Sequence, residues 1–229
     1  MKDVKFVLMD IEGTTTSVSF VYEVLFPYFQ KNIHLLAKLK NVKQVKLAFD
    51  QVREIVLNEE GKEGLSVDEI IGYLLQWSKE DRKVIPLKTV QGILWETAYK
   101  TSEIKGHVFE DVPSRLMDWK NNGVRMGVFS SGSIDAQRLL FGYSETGDLN
   151  KYFSFNFDTN TGSKRESETY QKIASIINLE PQSILFLSDI VEELEAAHKI
   201  GFQTIQLVRE SSVANWPNTV TDFLEIDLE

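Results

Sequence analysis

Asp10 and Glu12 stand one residue apart where the apolar run KFVLM at 5–9 ends, and a glycine and three threonines follow them. Like charges that close repel, and withdrawing them from water adds to the cost. Such a pair needs either open solvent or a cation. Residues of complementary chemistry follow later apolar runs. VRMGVFS at 124–130 brings Ser130, then Ser131 and Gly132, ahead of a helix opening at Ser133. FSFNF at 153–157 leads through a loop to Ser163, Lys164 and Arg165, and SILFLS at 183–188 leads to Asp189, with Glu192 and Glu193 a turn later.

Converging carboxylate oxygens with no histidine or cysteine suit Mg²⁺, which takes few protein ligands and shares its shell with water and a phosphate oxygen. One Mg²⁺ per chain, shared by Asp10, Glu12 and Asp189, would resolve the repulsion. Ser130 and Ser131, backed by the amides of a helix N-terminus, suit a phosphate. Lys164 supplies positive charge for a developing phosphoryl transition state. A carboxylate can then attack phosphorus to form an aspartyl-phosphate. The second acid, two residues on, can protonate the leaving oxygen and afterwards activate water.

That chemistry requires elements that bring four distant segments to one edge. The runs KFVLM, VRMGVFS, FSFNF, SILFLS and QTIQLV (203–208) are apolar without clean alternation, as strands covered on both faces of a parallel sheet are. Helical patterns lie between them: one opened by Pro113 and stopped at Gly123, one over Arg165 to Asn178, and one from Val191 to Ile200 stopped at Gly201. Strand and helix in alternation predict a doubly wound parallel α/β sheet of Rossmann-like type, whose ligands bind at the carboxyl ends of the strands.

The first strand is separated from the second by a long helical interval. Val45, Phe49, Val52 and Val56 recur at helical spacing; Ser66 with Glu69 forms a capping box; Pro86 starts a helix carrying Leu87, Val90, Leu94 and Ala98. The expected domains are an α/β core over 1–18 and 106–229 and an all-helical insertion over 19–105.

The 34 acids against 25 bases, a formal charge of −9, offer a nucleic-acid backbone no net attraction. The absence of cysteine excludes a disulfide scaffold, a thiolate zinc site and a cysteine nucleophile. No run approaches the roughly 20 apolar residues of a membrane span, and the N-terminus lacks a signal-peptide core. A soluble cytoplasmic protein is expected, a monomer acting on a small molecule; no address signal separates cytoplasmic from nuclear residence.

DIEGT at 10–14, the serine pair, Lys164, and Asp189 with Glu193 resemble the four motifs of the phosphatase branch of the haloacid dehalogenase superfamily, and the insertion matches the place of its cap domain. A narrower resemblance, along the whole chain, is to the acireductone-forming enolase-phosphatases of methionine salvage. It is carried by DIEGTTT, FV at 20–21, LFPY at 25–28, SSGSIDAQRLLFGYSETGD at 130–148 and FDTNTGSKRESETYQKIA at 157–174. Glu12, where most phosphatases of the superfamily carry Asp, marks that family. The resemblance implies Asp10 as nucleophile and magnesium ligand, and Glu12 and Asp189 as magnesium partners. It also implies Ser130 and Ser131 as substrate contacts and Lys164 as the phosphate-binding cation. The implied substrate is 2,3-diketo-5-methylthiopentyl-1-phosphate, enolised and then dephosphorylated to the acireductone. Ser188 departs from the Gly or Asp of many relatives. Glu193 is preferred to Glu192 as supporting acid because it lies one turn from Asp189 on the same helix face.

Other readings stay open at this point. A sugar-phosphate phosphatase or a phosphomutase would share this core, a dehalogenase would dispense with the metal, and a non-catalytic interaction protein would gain no stability from Mg²⁺. Asp189 is also placed to cap its helix. His34, His107 and His198 lie away from the strand ends and are read as surface or packing residues. Phe20, Tyr22 and Trp95 suit either a helical core or a pocket for a methylthio tail.

Overall fold

The computed structural model describes residues 3–209 and 213–228. The chain forms two compact units, residues 1–20 with 105–229, and residues 21–104. The first unit begins with strand β1 (Phe6–Met9). The second unit carries four α-helices: α1 (Phe26–Asn32), α2 (Lys43–Glu60), α3 (Val67–Lys79) and α4 (Ile85–Lys100). The chain then returns to the first unit with α5 (Asp111–Asn121), β2 (Arg125–Phe129), α6 (Ile134–Gly142) and β3 (Phe153–Phe157). It continues through α7 (Ser167–Ile177), β4 (Ile184–Ser188), α8 (Val191–His198), β5 (Gln203–Leu207) and β6 (Thr219–Val220).

The six strands form one parallel sheet in the order β3-β2-β1-β4-β5-β6. β1 lies between β2 and β4, so Asp10, Ser130 and Asp189 leave neighbouring strands at the same edge. All four residues of β1 are buried. Phe6 and Leu8 join an apolar cluster with α7 and α8, while Val7 and Met9 join another with α5 and Phe223. Burial on both faces is why the strand reads as a continuous apolar run.

In the helical unit, Val45, Phe49, Val52 and Val56 of α2 are buried, as are Leu87, Val90, Leu94 and Ala98 of α4. The Ser66–Glu69 capping box opens α3. Trp95 belongs to this core: its indole N–H donates to the Leu25 carbonyl at 3.0 Å and its ring stacks on Phe26.

Three helix boundaries differ from expectation. Helix α5 begins at Asp111, two residues before Pro113, because the first-turn N–H groups have no intrahelical partner and proline costs nothing there. Helix α7 begins at Ser167, so Lys164 sits in the preceding turn, closed by the Glu166 amide donating to Ser163 O at 3.2 Å. Helix α8 ends at His198, ahead of Gly201 at φ +103°. Strand β6 is too short, at two residues, to carry a periodic signal.

Beyond β5 the chain is tied to α5 by a buried ion pair. Arg209 donates to both oxygens of Asp111 at 3.0 and 2.6 Å, lies against the Phe109 ring, and is joined there by the Phe223 amide bonded to Asp111 at 2.6 Å. Removing one partner strands a buried charge. Asp111→Ala is expected to cost about 3–5 kcal/mol of unfolding free energy, measured by urea denaturation. A loss below about 1 kcal/mol would show that the pair is solvated.

Candidate active site

The segment after β1 is a knot of backbone bonds. The amides of Thr14, Thr15 and Thr16 converge on the Ile11 carbonyl at 3.2, 2.9 and 2.9 Å, and Gly13 donates to Thr16 O at 2.8 Å. The Thr15 hydroxyl bonds the carbonyls of Asp10 and Ile11, both at 3.2 Å. These short-range bonds explain why threonines follow the acids: they turn the chain back within the edge of the sheet.

Asp10 is 5 % exposed, and its Oδ1 receives the Lys164 ammonium at 2.6 Å and the Ile11 amide at 2.7 Å. Both bonds use Oδ1; the other carboxylate oxygen takes neither. Lys164 also meets Glu193 Oε2 at 2.7 Å. Burial opposes the ammonium, but Asp10 and Glu193 outweigh it and hold its pKa above the ordinary lysine value. Glu193 is itself raised by burial and by Asp10, against the pull of Lys164 and Ser188. The Ser188 hydroxyl donates to Glu193 Oε2 at 2.9 Å and accepts the Ile190 amide at 3.1 Å. One expectation is corrected here: the N-cap of α8 is Ile190, with no side-chain cap bond, so Asp189 does not cap the helix. Glu193 is buried at this centre, whereas Glu192 is exposed.

Asp189 crowds the same edge. Burial, then the charges of Asp10 and Glu12, push its carboxyl up to about 7. Its Oδ1 is buried and has no hydrogen-bond partner. Gln206, buried on β5, donates to the Asp189 carbonyl at 3.1 Å and fixes its backbone. Among the described residues, no three His, Cys, Asp or Glu side chains stand preassembled around a metal position. Carboxylates without a cation repel, and the Asp10 oxygen nearest the lysine is already engaged. The oxygen-only donors, the orphaned Asp189 oxygen and its raised pKa nonetheless fit a hard divalent cation.

Ser130 is buried at the end of β2 and its hydroxyl accepts the Gly132 amide at 3.1 Å, leaving its own proton to donate. Ser131 is exposed. Lys164 is anchored through its backbone by Tyr170, whose hydroxyl, fully buried in the core, donates to the Lys164 carbonyl at 2.7 Å. Tyr170 was legible only as an apolar helix position, because its partner lies six residues back in an irregular turn. His107 was not expected near this segment, yet its Nδ1 accepts the Ser17 amide at 3.2 Å and lies 2.9 Å from the Thr16 hydroxyl. It braces the end of the threonine turn, with Phe20 stacked on its ring.

Gly13 explains the glycine after the acid pair. Its φ is +71°, and a Cβ there would lie 2.4 Å from Asp189 Oδ2. Glycine is needed twice, for the left-handed backbone and for the approach of the carboxylate.

The haloacid dehalogenase-like hydrolase family matches residues 4–201. A Picosynechococcus protein named Enolase-phosphatase E1 is 49% identical over 96% of this chain and 96% of its own length. A Pseudomonas aeruginosa protein of the same name is 44% identical over 99% of each. The crystal structure of the Unknown transcript 4 protein of Saccharomyces cerevisiae superposes with a TM-score of 0.80 at 30% identity, covering 97% of this chain and 100% of that one. The two curated relatives are bacterial and lend the nuclear alternative no support. Among the described residues, no helix is long and apolar enough to cross a membrane.

Gly13→Ala is expected to force Asp189 aside and to lower the melting temperature, at a cost of about 1–3 kcal/mol for the strained backbone and the displaced side chain. A crystal structure of the variant with Asp189 unmoved would refute the close-approach argument.

Proposed function

This chain belongs to the haloacid dehalogenase-like hydrolases and, within them, to the enolase-phosphatases, and from that membership we propose how its own residues divide a two-stage reaction. The substrate is 2,3-diketo-5-methylthiopentyl-1-phosphate. It is first enolised and then dephosphorylated, giving the acireductone 1,2-dihydroxy-3-keto-5-methylthiopentene and inorganic phosphate. The α/β core over 1–18 and 106–229 carries the chemistry, and the helical stretch 19–105 serves as a cap domain. The protein works as a cytoplasmic monomer.

The lysine bridge carries this reading. With Lys164 and the Ile11 amide both on Asp10 Oδ1, the carboxylate is held in one orientation. Its other oxygen is then the nucleophile. It attacks phosphorus, the bond from phosphorus to the substrate oxygen breaks, and an aspartyl-phosphate forms. Glu12 gives its proton to the departing oxygen, then takes one from the water that hydrolyses the aspartyl-phosphate. Lys164 faces the phosphate oxygens as their charge develops, and Glu193 holds it there. Ser130 and Ser131 donate to the phosphate.

Asp10, Glu12 and Asp189 would hold Mg²⁺, which supplies positive charge against the phosphate and polarises the ketone in the first stage. For that stage Glu12 is the candidate base that removes the proton beside the carbonyl. Its charge then serves twice, as base and afterwards as proton donor.

The test is phosphate release from the diketone phosphate, followed together with acireductone absorbance. Both signals should rise with Mg²⁺ and vanish in EDTA; metal-independent turnover would remove the metal-holding role of Asp10, Glu12 and Asp189. Asp10→Asn should lower turnover by at least about a thousandfold, as loss of a nucleophile does. Circular dichroism of that variant should be unchanged, and retained phosphatase activity would remove Asp10 from its role.

A further inference from the structure

Helix α6 buries Gln137, Leu140 and Phe141 on one stripe, and an amide is an expensive occupant of such a face. Gln137 is 2 % exposed. Its Nε2 donates to the Gly132 carbonyl at 3.0 Å and to the Phe157 carbonyl at 2.8 Å. Its Oε1 accepts from Asn156 Nδ2 at 3.1 Å. The two carbonyl partners force the orientation of the amide, since only the nitrogen can donate.

Those two carbonyls close the exits of β2 and β3. The Phe157 carbonyl also accepts the Ser130 amide at 3.2 Å, so one side chain grips both ends of the serine turn. Peptides here are trans, and in a planar trans peptide the N–H points opposite to the C=O. Holding the Gly132 carbonyl inward therefore aims the Ser133 amide outward, at the N-terminus of α6. An aliphatic side chain of equal size would fill the space and leave both carbonyls without their side-chain donor.

We propose that Gln137 is a positioning residue for phosphate recognition, setting the Ser130–Gly132 turn and the outward amide of Ser133 at the substrate's phosphate. The proposal rests on the reading of Ser130 and Ser131 as phosphate contacts. Gln137 itself touches no substrate. Its effect passes through the turn, so its loss should appear in phosphate affinity and be shared with the loss of Ser130.

The experiment measures competitive inhibition by inorganic phosphate, with KM and kcat for the diketone phosphate, on Mg²⁺-loaded wild type, Gln137→Met, Ser130→Ala and the double variant. Gln137→Met should weaken phosphate about tenfold and raise KM more than it lowers kcat, the scale expected when a buried hydrogen-bond donor is removed. In the double variant the two losses should be clearly less than multiplicative, because both act on one turn. Asn156→Ala, which frees only the Gln137 oxygen, should shift phosphate affinity the same way by a smaller factor; it serves if Gln137→Met does not fold. Unchanged phosphate affinity in both Gln137→Met and Asn156→Ala, or losses that multiply in full, overturns the role of Gln137 while leaving the serine reading intact. Unchanged phosphate affinity in both Ser130→Ala and Ser131→Ala overturns the serine reading and the proposal with it.

Discussion

The ammonium of Lys164, buried between Asp10 at 2.6 Å and Glu193 at 2.7 Å, is the contact on which the rest of the catalytic edge depends. A buried carboxylate without a cation would protonate, and a buried ammonium without carboxylates would lose its proton. The two carboxylates hold the ammonium's pKa up against its burial. The arrangement is worth little as a source of net stability, because desolvation consumes most of the Coulomb energy. Its value lies in orientation: it holds Oδ1 of Asp10 against Lys164 and the Ile11 amide and leaves the other oxygen outside both contacts.

Much of the surrounding structure serves to hold that bridge. Tyr170 fixes the backbone of Lys164 from within the core, and Ser188 fixes Glu193 while accepting the Ile190 amide ahead of α8. Gln206 fixes the Asp189 backbone, and Gln137 grips the exits of β2 and β3. In each case a polar atom from the core reaches forward to a carbonyl or carboxylate at the strand ends. Irregular backbone at a sheet edge cannot satisfy all its own polar groups, and side chains from neighbouring elements complete it. The Thr14 hydroxyl and Asp189 Oδ1 remain unsatisfied there, and the Asp189 carboxyl is raised to about 7 where the acids crowd. That residual imbalance is the electrostatic argument for a divalent cation.

The sequence was informative wherever a single element carried its own signal. The central strands β1 and β4 were visible because burial on both faces leaves runs such as FVLM and ILFL with no polar interruption. The Ser66–Glu69 box was visible because both partners lie within one turn. Asp10, Glu12, Ser130, Lys164 and Asp189 were visible because each follows directly on, or one loop after, such a run. Helix starts were read less well, since proline at 113 marks a first turn without marking its first residue. Helix geometry favoured Glu193 over Glu192 without deciding between them, and it is Glu193 that meets Lys164.

By itself the sequence determined the alternation of elements, and therefore which residues had to meet at one sheet edge. The parallel order of strands follows from burial pattern and short connections, and those are local properties of the chain. Only the tertiary structure decided how the groups at that edge are paired. It placed Lys164 between two acids, Tyr170 behind Lys164, Gln137 across two strand exits, and Asp189 against the one glycine that admits it. Pairings of this kind join residues tens of positions apart, and they depend on distances of a few tenths of an ångström. No periodicity or spacing along the chain encodes such distances, because they are set by the packing of the whole domain.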